Sequence, residues 1–242
     1  MASERLIEFN PQPRIERVDL GAGQACLVID EALIAPERLV EFAAAQRADF
    51  RRVDFNYYPG ILLPTPGTIS QALGAFFVEH VRSQFPARRV IRMHSRLALV
   101  TLQPHELRPH QWICHRDNAE VAPDQSIQAS VLYLFHDSAL GGTGFYEPLL
   151  PRGEIQQLYR DAGALAPADF SSRHGLAPGY QCDSNRYFRR VGSVPAKWNR
   201  LIFYDGGMLH SGDILAPEKL SADPRVGRLT LNGFFTCRRP VA

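Results

Sequence analysis

The sequence predicts an α+β fold in which N-terminal helices buttress a β-sandwich or jelly roll. Three observations lead there. The helix-periodic segments lie near the N-terminus. From about residue 90 onward, short runs of β-formers follow one another, separated by Gly, Pro, Asn or Asp turns. Eighteen Gly and eighteen Pro also make the chain turn-rich for a helix bundle. With 242 residues and 45% of them hydrophobic, the chain fills one core and is short for two, so residues 1–242 are read as a single domain.

Residues 1–24 are a polar, Pro-punctuated lead-in. Ala25 to Asp30 is a short apolar strand. Pro36 starts a helix over 36–48, where Leu39, Val40, Phe42 and Ala43 recur at helical spacing. Arg52 to Gly67 is loop-like, with three prolines. Thr68 opens a second helix to about Gln84, with Ile69, Leu73, Phe76, Phe77 and Val81 on one side. Residues of about 25–85 thus form a helical support. Strands are expected at 96–103, 127–135, 144–147, 200–204 and 228–236, within a core of about 90–238. Residues of about 148–190 interrupt this series as an insertion or lid with one helix at 154–162.

Composition excludes several classes. Lys and Arg number 27 and Asp and Glu 25, a formal charge of +2, so no nucleic-acid partner is expected. Hydrophobic content rules out a disordered acidic chain. The four cysteines form no CxxC pair and no disulfide scaffold. The first twenty residues have no apolar core of a leader peptide, and no apolar run approaches the roughly 20 residues of a membrane span. A cytoplasmic home without membrane contact is the expectation. Oligomeric state is not legible.

Four segments carry chemistry. In Cys114-His115-Arg116-Asp117-Asn118, an extended backbone turns His115 and Asp117 to one side, where an imidazole and a carboxylate suit Fe(II), Zn or Mn. A lone HxD is also an ordinary surface turn. In 201–212, an apolar strand enters a Gly-Gly turn and presents His210, which equally suits a hairpin end satisfied by backbone. In 227–235, Arg228, Thr230 and Asn232 alternate with Leu229 and Leu231. Such a polar face either lines a pocket for a carboxylate or faces water at a sheet edge. In 131–146, a strand bearing Tyr133, a Gly-rich turn and a second strand form a hairpin, with Tyr133 either a core aromatic or a donor to an acid.

In this order the motifs resemble the Fe(II)/2-oxoglutarate-dependent dioxygenases, most closely the prolyl-hydroxylase-like branch, over residues of about 90–238. The resemblance implies a double-stranded β-helix (jelly-roll) core. It implies His115, Asp117 and His210 as the facial triad for Fe(II). It implies Arg228 on the distal carboxylate of 2-oxoglutarate, helped by Tyr133 and by Thr230 or Asn232, with O2 as the other reactant. The implied reaction decarboxylates 2-oxoglutarate to succinate and CO2 and hydroxylates an amino acid, a peptide or a small metabolite. Halogenases of this superfamily lack the carboxylate that Asp117 supplies, so hydroxylation is favoured, with desaturation and ring closure as the alternatives.

The chain departs from the pattern in two places. His210 and Arg228 lie 18 residues apart, an excess placed at Leu215 to Asp223 that leaves Arg225 as a rival for the carboxylate. The 148–190 stretch also exceeds the family minimum. Trp112, Arg116, Asn118 and Tyr57-Tyr58 are candidates for the pocket rim, and His105, His110 and His136 are read as structural. Two other readings keep the scaffold: a cupin-type metal enzyme without 2-oxoglutarate, and a non-catalytic binding module.

Overall fold

The computed structural model of the chain describes residues 5–53, 58–117 and 121–240, so the rim candidates Tyr57 and Asn118 lie outside the described residues. Strands β1 (Ile15–Asp19) and β2 (Ala25–Ile29) form a hairpin. Helix α1 (Glu37–Ala45), the two-residue β3 (Arg51–Arg52), β4 (Gly60–Pro64) and α2 (Gly67–Phe76) follow. Then come β5 (Arg89–Val100), β6 (Gln125–Tyr133) and β7 (Thr143–Pro148), followed by α3 (Arg152–Ala164) and α4 (Pro167–His174). The chain ends through β8 (Phe188–Val194), β9 (Arg200–Asp205), β10 (Leu209–Gly212) and β11 (Arg228–Arg238). Eight strands build one sheet, in the order β1-β2-β9-β6-β11-β5-β4-β3, and three build a second, in the order β10-β7-β8. The pairings within both sheets are antiparallel. The fold is therefore mixed, with helices around mostly antiparallel sheet.

Helices α1 and α2 form where the periodicity places them. Leu39, Val40 and Ala43 of α1, and Ile69, Leu73 and Phe76 of α2, are the buried positions. Past Phe76 the second helix widens into one π-type turn, Phe77–Val81, which keeps Phe77 and Val81 buried. Both helices cover one face of the large sheet, against Leu27, Ile29, Phe203, Leu231 and Phe235. The Phe77 and Phe235 rings stack at 4.2 Å. Each fully buried Phe or Leu there stabilises the fold by about 1.5–3 kcal/mol.

The other face of the large sheet looks toward the small sheet. Tyr133, Phe145, Ile202 and Tyr204 fill part of that interior. Strand β11 serves both faces by simple alternation. Leu229, Leu231 and Phe235 join the helix-side core, whereas Arg228, Thr230, Asn232 and Phe234 line a cavity between the sheets.

Two expectations need correction. The 52–67 stretch is not all loop, because Ile61, Leu62 and Leu63 form β4 against β5. Its flanking prolines hid the strand. Gly60 is required there, since a Cβ would sit 1.9 Å from the Leu99 carbonyl oxygen. The 148–190 segment holds two helices rather than one. Leu158, Ala162 and Phe170 pack with Trp112, Cys114 and Phe188 in a third apolar cluster. That packing also removes Trp112 from the pocket rim. Among the described residues, no helix is long and apolar enough to cross a membrane.

Candidate metal centre

The HxD segment is held by bridging rather than by a long strand. His115 and His210 form an isolated antiparallel bridge, each backbone N–H donating to the other's carbonyl at 2.9 Å. The Asp117 N–H donates to the Gly206 carbonyl at 2.8 Å, and the Gly206 N–H donates to that of Ile127 at 2.8 Å. Gly206 admits this approach, since a Cβ there would lie 3.1 Å from both the Asp117 Cβ and the Ile127 oxygen. Strand β10 carries His210 opposite Phe145 of β7. The result brings one ligand-type atom from each of His115, Asp117 and His210 within 4.8 Å of one another. His115 Nε2 lies 3.7 Å from Asp117 Oδ1, and His210 Nε2 lies 3.4 Å from Asp117 Oδ2.

The electrostatics suit a cation. His210 Nδ1–H donates to the Met208 carbonyl at 2.9 Å, which leaves the Nε2 lone pair facing Asp117. Burial pushes both imidazoles down to about 4, and for His115 the neighbouring His210 adds to the effect. Both rings are thus neutral at pH 7, the form that binds metals. Burial pushes the Asp117 carboxyl up, opposed by His115 and Arg96. Asp117 Oδ2 is buried and accepts no hydrogen bond. Whenever the carboxyl is ionised, His210 Nε2 and Asp117 Oδ2 face each other as two acceptors at 3.4 Å and repel, and a bound cation removes the conflict. Two imidazoles and a carboxylate fit Fe(II), and also Zn or Mn.

The cluster opens into a cavity of about 600 Å³. Arg228, at the start of β11, is 5% exposed. Its Nε donates to the carbonyls of Leu140 (2.9 Å) and Gly141 (3.1 Å), and its Nη2 to that of Gly142 (2.9 Å). Gly141 has φ +82°, and a Cβ there would lie 1.8 Å from the Asp213 oxygen; at Gly142 the clash is 2.0 Å, with the Val194 oxygen. The loop therefore needs both glycines to reach Arg228. Thr230 and Asn232 share the wall, with Asn232 Oδ1 buried and without a hydrogen-bond partner. Arg116 and Tyr58 also line the cavity.

Tyr133 sits behind the wall. It is fully buried, and its hydroxyl lies 2.8 Å from Thr143 Oγ1, Thr143 itself being a wall residue. Arg225 pairs with the exposed Glu41 at 2.7 Å, away from the cavity, and drops out as a rival to Arg228. His136 stacks on Trp198 at 4.1 Å. Sequence reading missed Arg96, which lies beside Asn232 on β5; the alternation Arg92-x-His94-x-Arg96 was the available signal. A second cavity of about 620 Å³, walled by Arg88, Arg89, Asp124 and Arg238, brings no such ligand cluster together among the described residues.

Comparison with known proteins agrees at the level of fold. The non-haem α-ketoglutarate-dependent epimerase SnoN from nogalamycin biosynthesis superposes with a TM-score of 0.50 at 12% identity, covering 90% of this chain and 82% of SnoN. A Pseudomonas putida prolyl-4-hydroxylase gives 0.48 at 12% identity, covering 90% and 94%. HygX from Streptomyces hygroscopicus, with nickel and 2-oxoglutarate bound, gives 0.44 at 9% identity, covering 89% and 84%. The SnoN superposition meets, in fold alone, the expected likeness to Fe(II)/2-oxoglutarate-dependent oxygenases. No curated protein matches in sequence. A family model does match, over residues 11–235, and the chain belongs to that family, the family of unknown function DUF6445.

Proposed function

We propose that the chain is an Fe(II)- and 2-oxoglutarate-dependent dioxygenase, its two sheets forming a double-stranded β-helix. The substrate on this reading is an amino acid, a peptide or a small metabolite, and the reaction is hydroxylation. The observation that carries it is the buried, unpartnered Asp117 Oδ2 facing the unprotonated His210 Nε2 at 3.4 Å, with His115 beside them.

His115, Asp117 and His210 would hold the metal. Bound metal, 2-oxoglutarate and O2 together supply the oxidising chemistry, releasing succinate and CO2. The remaining work belongs to the chain. Arg228 is held in place by three carbonyls of the 140–142 loop, so little ordering entropy is lost on binding. Those three bonds use Nε and Nη2, so Nη1 would be the donor offered to the distal carboxylate. Thr230 and Asn232 offer polar atoms on the same wall. Tyr133 acts one step back, orienting the Thr143 hydroxyl. Tyr204 packs against His210 at 4.8 Å and keeps water from that side. All four cysteines are free thiols, which supports a cytoplasmic home.

One observation favours a second reading. The three carbonyl partners of Arg228 would suffice for a structural role, as in a cupin-type metal enzyme without 2-oxoglutarate. Anaerobic titration decides between them. Fe(II) followed by 2-oxoglutarate is expected to give the weak visible band of a chelated keto acid. His210→Ala should abolish it. Arg228→Ala, or the milder Thr230→Val, should demand at least about tenfold more 2-oxoglutarate while Fe(II) still binds. A folded wild type that binds Fe(II) without the band sinks the dioxygenase reading.

A further inference from the structure

We propose that the substrate carries an oxyanion group, a carboxylate or phosphate, and that Arg96 receives it within a basic wall of the cavity. The proposal rests on the dioxygenase reading and adds the substrate's chemical class. Strand β5 presents Arg92, His94 and Arg96 to the cavity at alternate positions, opposite Thr236, Phe234 and Asn232 of β11. Arg116 extends the wall from the HxD segment. Among the described residues, the cavity lining thus has four arginines, at 92, 96, 116 and 228, and one carboxylate, Asp117. A divalent metal and a dianionic keto acid would cancel each other and leave that surplus unchanged.

Among the cavity arginines, Arg96 has a buried nitrogen left unsatisfied. Its guanidinium lies 4.7 Å over the Phe234 ring, and its Nε is buried with no hydrogen-bond partner. It makes no ion pair among the described residues, whereas Arg190, Arg200, Arg225 and Arg238 each meet a carboxylate. Asp117 acts on Arg96 electrostatically but forms no ion pair with it, so no hydrogen-bonded anion meets this half-buried guanidinium, and a ligand oxyanion would supply one. Arg228 does not serve the same group. It pairs in register with Val100, four residues along β5 from Arg96, or about 13 Å at the usual strand rise. Two anion receivers that far apart on one wall suit two ligands. The one nearer Asp117 holds the molecule to be oxidised.

The test uses a fluorinated probe and a paramagnetic metal. The protein is loaded with Mn(II) and saturating 2-oxoglutarate without O2, and the ¹⁹F linewidth of 4-fluorophenylacetate is compared with that of 4-fluorophenylacetamide. The acid is expected to broaden saturably and the amide not. Arg96→Gln should weaken the acid at least tenfold, and Arg96→Lys should recover part of it. The keto-acid band with Fe(II) should form equally in Arg96→Gln and wild type. The proposal is overturned by equal broadening of acid and amide, by no broadening of the acid, or by an unchanged Arg96→Gln. It is also overturned if Arg96→Gln loses the keto-acid band, which would put Arg96 in the cosubstrate site. A wild type without that band removes the dioxygenase reading instead. The comparison of wild type with Arg96→Gln for the acid, repeated with Mn(II) alone, then still decides the anion site.

Discussion

Replacing Asp117 by Asn should make the metal-free protein more stable and the metal-loaded protein less so. The Asp117 and His210 acceptors face each other at 3.4 Å in a buried site, and Asp117 Oδ2 has no donor. An amide of the same shape offers an N–H to His210 Nε2. Leaving a buried polar group unsatisfied costs about 1–3 kcal/mol, so relief is worth about 1–2 kcal/mol. For a chain of this length that raises the melting temperature by about 2–8 °C. Metal reverses the order. Removing a hydrogen-bond partner of a ligand alone costs about 10–100-fold in affinity, and losing the carboxylate itself costs more. At a hundredfold excess over Kd, metal stabilises the wild type by about 2.7 kcal/mol and should leave Asp117→Asn nearly unmoved. Differential scanning calorimetry at pH 8, with EDTA and then with Mn(II) or Ni(II), shows whether the curves cross. A metal-free Asp117→Asn that melts below wild type, or one that keeps the full metal shift, would refute the reasoning.

Three further outcomes follow from packing. Gly142→Ala, with its Cβ 2.0 Å from the Val194 oxygen, should cost more than about 2 kcal/mol in urea unfolding and release the loop that holds Arg228. His174 receives the Tyr187 hydroxyl at Nδ1 and donates from Nε2 to Asp161, both at 2.9 Å, and so ties α4 to α3. His174→Phe should cost about 2–3 kcal/mol by the same assay, and Tyr187→Phe clearly less. Hydrogen bonds from Arg200 and then Lys197 hold the Asp30 carboxyl down from 3.8 to about 2. A lowered acid stabilises the fold above its unfolded pKa, so this contribution fades as pH falls from about 4 to 2. Asp30 is partly exposed, so its worth is about 1 kcal/mol or less, and Asp30→Asn should flatten the acid-unfolding curve over that window.

Order along the chain made the metal cluster legible, because no single motif was specific and four in sequence were. The alternation of β11 was readable because its two faces meet different media, apolar helices on one side and a polar cavity on the other. Helices α1 and α2 were readable from periodicity to within a few residues. What escaped reading depends on partners. β4 is a strand because β5 accepts it, and prolines at its ends mask the pattern. β10 is four residues long and exists through pairing with β7. β8 mixes Arg, Gly and Ser with apolar residues and follows no clean period. The unsatisfied state of Arg96 depends on Asn232 and Phe234, which lie far along the chain. The partner that takes up the Tyr133 hydroxyl is likewise visible only in space.

The bridge between residues 115 and 210 joins the ends of a long loop that contains β6 through β9. Closing such a loop is late and entropically costly, since the intervening strands must pair first. A chain still emerging, or cut before β10, holds two of the three ligands and no shared pocket. On the proposed function, metal capture would thus mark the end of folding rather than its beginning. An ion poised for oxidation, as the proposed function requires, would be kept out of half-assembled chains, whose own side chains would be the nearest targets.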